Sequence, residues 1–88
     1  MVKVQLTANL QKYYPKAQFE IEANSVLDLL KKMDQERANF SSYILEDDNM
    51  VRRHVNIFVN NELIKKNETN KKLLDGNTVH IMQALSGG

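Results

Sequence analysis

His54-Val55-Asn56-Ile57-Phe58-Val59-Asn60-Asn61-Glu62 reads as a strand that runs straight into a tight turn. Val55, Ile57 and Val59 fall on one side of an extended chain and Asn56 and Phe58 on the other, because successive side chains of a strand point to opposite faces. Asn60 and Asn61 suit a two-residue hairpin turn, whose central residues need a positive φ that asparagine tolerates better than other residues bearing a Cβ. Glu62-Leu63-Ile64 then returns antiparallel. Further along, Lys65, Lys66, Lys71 and Lys72 lie in a lysine- and asparagine-rich stretch and read as a solvated edge, where lysine also discourages unwanted strand pairing. A second turn follows at Asp75-Gly76. Beyond it Val79 and Ile81 alternate with Thr78, His80 and Met82 in a last strand.

Working back from His54, Glu46, Asp47, Asp48 and Asn49 form a polar loop tip that lacks the spacing and central glycine of an EF-hand calcium loop. Periodicity is weak from Ala38 to Met50, and Phe40, Tyr43, Ile44 and Leu45 are expected to reach the core from a loop or a short helical turn. Asn24-Ser25-Val26-Leu27-Asp28 starts a helix. Ser25 can accept from an unpaired N–H of the first turn, and Asp28 suits the positive helix end. Val26, Leu27, Leu30 and Met33 recur at helical spacing, with Lys31, Lys32, Asp34 and Gln35 on the wet side, and the helix should reach about Glu36 or Arg37. Before it, Val2, Val4 and Leu6 alternate with Lys3 and Gln5, and Phe19 and Ile21 with Gln18, Glu20 and Glu22. These two strands, joined through Tyr13, Tyr14 and Pro15, read as a hairpin. The order strand, strand, helix, strand, short strand, strand implies an α+β domain with one helix on one face of a sheet. The first and last strands alternate strongly and are expected to be the central pair.

Composition narrows the chemistry. Eighty-eight residues leave room for one domain, and the absence of cysteine excludes disulfides, zinc ribbons, iron–sulfur clusters and a cysteine nucleophile. Twelve basic residues against eleven acidic ones give a net charge of +1, spread along the chain rather than gathered in the basic stripe of a nucleic-acid binder. No segment has the apolar run of a signal peptide or a membrane span, so no membrane partner is expected and the protein is expected in the cytoplasm. His54 and His80 could meet across a sheet, but two histidines without a third ligand make a poor metal site. No nucleophile and base share a supporting spacing, so an enzyme reading of the isolated chain has little to rest on.

The end of the chain is unusual. Gly87 and Gly88 are two of only three glycines, and Ala84-Leu85-Ser86 precede them. Such an end is slender enough to thread a groove in which a Cβ would clash. A frayed terminus would also contain glycine, so Gly-Gly alone is a weak motif. Read together, the element order, the His54–Glu62 segment, the Leu74-Asp75-Gly76-Asn77-Thr78-Val79 turn and the Ala84-Leu85-Ser86-Gly87-Gly88 end resemble the ubiquitin-like sulfur carriers. That family includes the molybdopterin-synthase small subunit, the thiamine sulfur carrier and the carrier of a protein-bound cysteine pathway. The likeness is strong from Arg53 onward and weaker between Asn39 and Met50. Two features depart from the family: Met82-Gln83-Ala84 stands where relatives often have a proline, and Asn61 where they favour glycine or aspartate.

The resemblance implies a β-grasp domain over residues 1–82, with a mixed sheet of four to five strands and one main helix, followed by a flexible tail over residues 83–88. It further implies that an E1-like partner adenylates the Gly88 carboxylate with ATP and that a sulfur donor then displaces AMP, leaving a thiocarboxylate for a sulfur-accepting synthase subunit. Gly87 is the slender approach to that carboxylate. The chain itself should bind no nucleotide, because Gly76 is the only glycine outside the tail and no phosphate-cradling glycine loop exists. If Val55, Ile57 and Val59 face the core, Phe58 lies on the open face with His80 and Met82, and Leu85 beyond, as a docking patch for the activating enzyme. Arg52 and Arg53 could pair with acidic groups of a partner or with a substrate phosphate. A ubiquitin-like modifier attached to lysines through the same terminus, and an interaction domain with an inert end, remain open alternatives.

Overall fold

A computed structural model of the protein describes residues 1–84. Its sheet is built on the pairing of two strands from opposite ends of the chain. β1 (Val2–Leu6) runs parallel to β5 (Thr78–Gln83), with Val4 opposite Val79 and Leu6 opposite Ile81. β2 (Gln18–Ile21) folds back antiparallel on the outer side of β1, while β3 (Val55–Val59) lies antiparallel on the other side of β5 and carries the two-residue β4 (Glu62–Leu63) at its edge. The order is β2-β1-β5-β3-β4, a mixed sheet of five strands among the described residues, with the expected central pair. β5 runs one residue past the Met82 at which the last strand was expected to stop.

α1 (Val26–Glu36) begins as its sequence implies. The Asp28 N–H donates to Ser25 Oγ at 3.0 Å, and Asp28 Oδ2 accepts from the Asn24 N–H at 3.1 Å. Its remaining early donors are satisfied from far along the chain: the Val26 and Leu27 N–H groups donate to the carbonyls of Lys71 and Thr69. A helix start leaves four such donors unpaired, so the loop after β4 completes this end and binds it to the rest of the fold. The buried stripe is Val26, Leu29, Leu30 and Met33. Leu29 therefore takes the interior place expected of Leu27, which is only half-buried: from Val26 the i+3, i+4 and i+7 positions of a helix are Leu29, Leu30 and Met33, and Leu27 falls on the flank of that stripe.

These residues join Val2, Val4, Leu6, Val55, Ile57, Val59, Val79 and Ile81 of the sheet in one core, closed from the side by Leu10, Tyr14, Phe40 and Ile44. Full burial of a side chain of this size contributes about 1.5–3 kcal/mol. The weakly patterned stretch after α1 contains α2 (Ser41–Ile44), entered through Asn39 at φ +67°. Asp34 receives both the Ser41 N–H and the Ser41 hydroxyl, at 2.7 and 2.6 Å, so the buried serine is fully paired. Phe40, Ile44 and Leu45 reach the core as expected. Tyr43 does not: it is exposed and stacks on Tyr13 with ring centroids 4.2 Å apart.

Candidate functional site

The face of the sheet turned away from α1 is divided by chemistry. On its β2 and β1 half, Gln18 lies opposite Gln5 and Glu20 opposite Lys3, an all-polar surface. On the other half, β3 pairs Phe58 with His80 of β5 and with Leu63 of β4, while Asn56 lies opposite Met82. Leu63, Phe58, His80 and Met82 therefore gather into an apolar patch spanning three strands. Phe58, His80 and Met82 are half-buried and Leu63 is exposed. Val55, Ile57 and Val59 are buried on the opposite face, which is what sends Phe58 outward. Leu63 belongs with Phe58, a neighbour that strand alternation alone does not assign. A two-residue turn at Asn60-Asn61 forces residues 58 and 63 to face each other, so the hairpin register was the signal that locates it.

Lys66 limits this patch on one side. It was expected on the wet edge, yet its ammonium turns in to donate to the Val55 carbonyl and to Asn56 Oδ1, the latter at 3.1 Å. The cause is the brevity of β4: with no strand beside the start of β3, the Val55 carbonyl needs a donor from elsewhere. Burial of the ammonium lowers the Lys66 pKa from its ordinary value.

At the end of β5 the chain leaves the sheet between two supports. The Ala84 N–H donates to the His54 carbonyl at 2.7 Å on the β3 side, and Asn9 Nδ2 donates to the Gln83 carbonyl at 2.9 Å on the β1 side. Beside this exit lies an open cleft of about 340 Å³, lined by Tyr43, Glu46, Arg52, Arg53, His54, Val55 and Gln83. Arg52 is already engaged within the chain, with Nη1 2.9 Å from Glu46 Oε1 and Nε donating to the Ser42 carbonyl. Arg53 and His54 are exposed. His54 lies at this exit while His80 pairs with Phe58 on the patch, and among the described residues no three histidine, cysteine or carboxylate side chains gather as a metal site. Leu85, Gly87 and Gly88 lie outside the described residues.

The family model described as the ThiS family matches residues 4–88. The chain belongs to the ThiS family. Its fold is the β-grasp, shared with solved structures of low sequence identity. A chain of the Amycolatopsis orientalis BexX/CysO complex superimposes with a TM-score of 0.88 at 21% identity, covering 100% of both chains. Mycobacterium tuberculosis CysO gives 0.85 at 18% identity over 97% of this ThiS-family chain and 100% of its own. Small archaeal modifier protein 1 from Methanosarcina acetivorans gives 0.80 at 24% identity, covering 99% and 95%. A search of curated protein sequences returned no match. Among the described residues, no helix of this ThiS-family protein is long and apolar enough to cross a membrane.

Proposed function

We propose that this protein is a sulfur carrier whose Gly88 carboxylate is charged by a partner enzyme. The observation that carries the reading is the ThiS-family match itself, which runs through residue 88 and takes in the diglycine end. A carboxylate resists substitution because attack would have to expel oxide. An E1-like partner removes that obstacle: a Gly88 carboxylate oxygen attacks the α-phosphorus of ATP, pyrophosphate leaves, and an acyl adenylate forms. Sulfide attacks the carbonyl carbon and AMP departs, leaving the thiocarboxylate directly. A sulfurtransferase persulfide attacks in the same way to give an acyl disulfide, whose S–S bond a thiol then breaks, becoming a disulfide itself as the thiocarboxylate is released. The resulting thiocarboxylate offers sulfur to a synthase subunit in molybdopterin-type or cysteine biosynthesis. Family members are small carriers rather than catalysts, and this sequence has no phosphate-cradling glycine loop and no cysteine.

The apolar half of the open face supports this reading through its position. Met82 and His80 are on β5, the strand that leads into the tail, so a partner seated on Leu63, Phe58, His80 and Met82 is already beside the segment it must charge. Arg53 would add an ionic contact with an acidic partner at the tail exit.

The second reading, a modifier joined to lysines through the same activated end, is favoured by the name of one structural neighbour, small archaeal modifier protein 1. One set of reactions separates these possibilities. The full chain, a chain lacking Gly87 and Gly88, and Phe58→Asp are each incubated with the E1-like enzyme of the same cell and ATP. The full chain should release pyrophosphate, the shortened chain should release none, and Phe58→Asp should raise KM about tenfold or more while remaining folded by circular dichroism. Pyrophosphate release that survives loss of both glycines would refute the proposal. Conjugates on lysines of other proteins, lost with Gly88, would favour the modifier.

A further inference from the structure

The exit of β5 holds a hydrogen-bonded device that the carrier reading does not by itself require. β1 ends at Leu6, and its last ladder bond toward β5 is the Thr7 N–H to the Ile81 carbonyl at 3.2 Å. The chain then turns away into a 3₁₀ turn at Ala8–Leu10, while β5 continues to Gln83. Gln83 is thus left without a backbone neighbour on its β1 side, where its N–H and C=O both point. Two side chains take the place of the missing strand. Thr7 Oγ1 accepts the Gln83 N–H at 3.3 Å, Asn9 Nδ2 donates to the Gln83 carbonyl at 2.9 Å, and the Thr7 hydroxyl donates to Asn9 Oδ1 at 2.8 Å. The three bonds close a ring, and the amide of Asn9 can serve both partners in one orientation only, nitrogen toward Gln83 and oxygen toward Thr7. With the His54 carbonyl holding the Ala84 N–H from the other side, Gln83 and Ala84 are gripped from both flanks.

We propose that Thr7 and Asn9 are positioning residues that set where the tail starts and the direction in which it leaves. The inference rests on the carrier reading and adds to it a pair of residues remote from both the glycines and the docking patch. Four residues follow Ala84 in the sequence, and four residues span at most about 14 Å even when fully extended. A partner that grips the open face must find the carboxylate within that reach, so an error in the starting point or the direction carries through to the reacting atom. Loss of the ring frees Gln83 and broadens the direction in which β5 delivers the chain beyond it, which lowers the fraction of docked complexes in reacting geometry. Docking itself is untouched, because Leu63, Phe58, His80 and Met82 are not part of the ring. The signature is therefore a fall in kcat at constant KM.

The test uses the full chain, the E1-like enzyme of the same cell, ATP and labelled pyrophosphate. Thr7→Val keeps the shape of the side chain but removes the hydroxyl, and Asn9→Asp keeps the shape but replaces the donor with a carboxylate oxygen facing the Gln83 carbonyl. Each should lower kcat for pyrophosphate exchange about tenfold with KM unchanged, and each should accelerate hydrogen exchange of the Gln83 amide. Thr7→Ser, which restores the hydroxyl, should recover the wild-type kcat. Unchanged kcat in both isosteric variants, unchanged exchange at Gln83, or a rise in KM alone would overturn the assignment while leaving the carrier reading intact. Failure of the wild-type chain to be charged at all would overturn the carrier reading, and this inference with it.

Discussion

Tyr14 is among the largest side chains wholly inside the protein, and its one polar atom is paired. The ring stacks on Phe19 and meets Phe40 edge-on, and its hydroxyl donates to Glu36 Oε2 at 2.7 Å. Burial, followed by the Glu36 bond and charge, pushes the Tyr14 pKa above its ordinary value. Glu36 moves the opposite way: its pKa is lowered, first by the hydrogen bond from Lys16 at 2.9 Å and then by that from Tyr14. A carboxylate with a depressed folded-state pKa contributes stability above its unfolded pKa, and loses it as pH falls through the folded value. Glu36→Gln should therefore melt below the wild type near neutral pH, and the gap should close below about pH 4. Thermal melts across that range check this; a gap that widens in acid would contradict it. Little of this cluster could be read in advance, because Tyr14 and Glu36 meet only once β2 and α1 are packed. The Ser25 cap, by contrast, was readable because both its partners lie within four residues.

Among the elements, the β3–β4 hairpin shows how far local chemistry reaches. Asn60 and Asn61 take φ of +50° and +70°, the left-handed values their side chains tolerate, and they place Phe58 against Leu63. A β-branched residue pays about 1–2 kcal/mol in this region. Asn61→Val should accordingly lose about that much stability in urea denaturation, whereas Asn61→Gly should lose none; equal midpoints for all three proteins would show that the turn does not fix the register. The strands, the turns and α1 were legible because alternation, positive-φ residues and a cap are short-range signals. Tyr43 and Lys66 were misplaced because their positions are set by distant partners. Tyr43 leaves the core to stack on Tyr13, and Lys66 turns inward to serve a carbonyl that a two-residue strand leaves bare.

Across the whole molecule, the parallel β1–β5 pair ties the first strand to the last and places the tail exit beside the apolar half of the open face. The central pairing was readable from the sequence, as was the outward placement of Phe58, His80 and Met82. The full extent of the patch, the internal pairing of Arg52 with Glu46 and the grip of Thr7 and Asn9 on Gln83 were not, since each depends on which loops come together. The central claim concerns a single atom at the end of the chain, and intact-protein mass spectrometry reads it most directly. After incubation with the E1-like enzyme, ATP and a sulfide source, the account predicts a mass increase equal to the replacement of one oxygen by sulfur, localised to Gly88 by fragmentation. A terminus that keeps both oxygens under conditions in which pyrophosphate is released would contradict it.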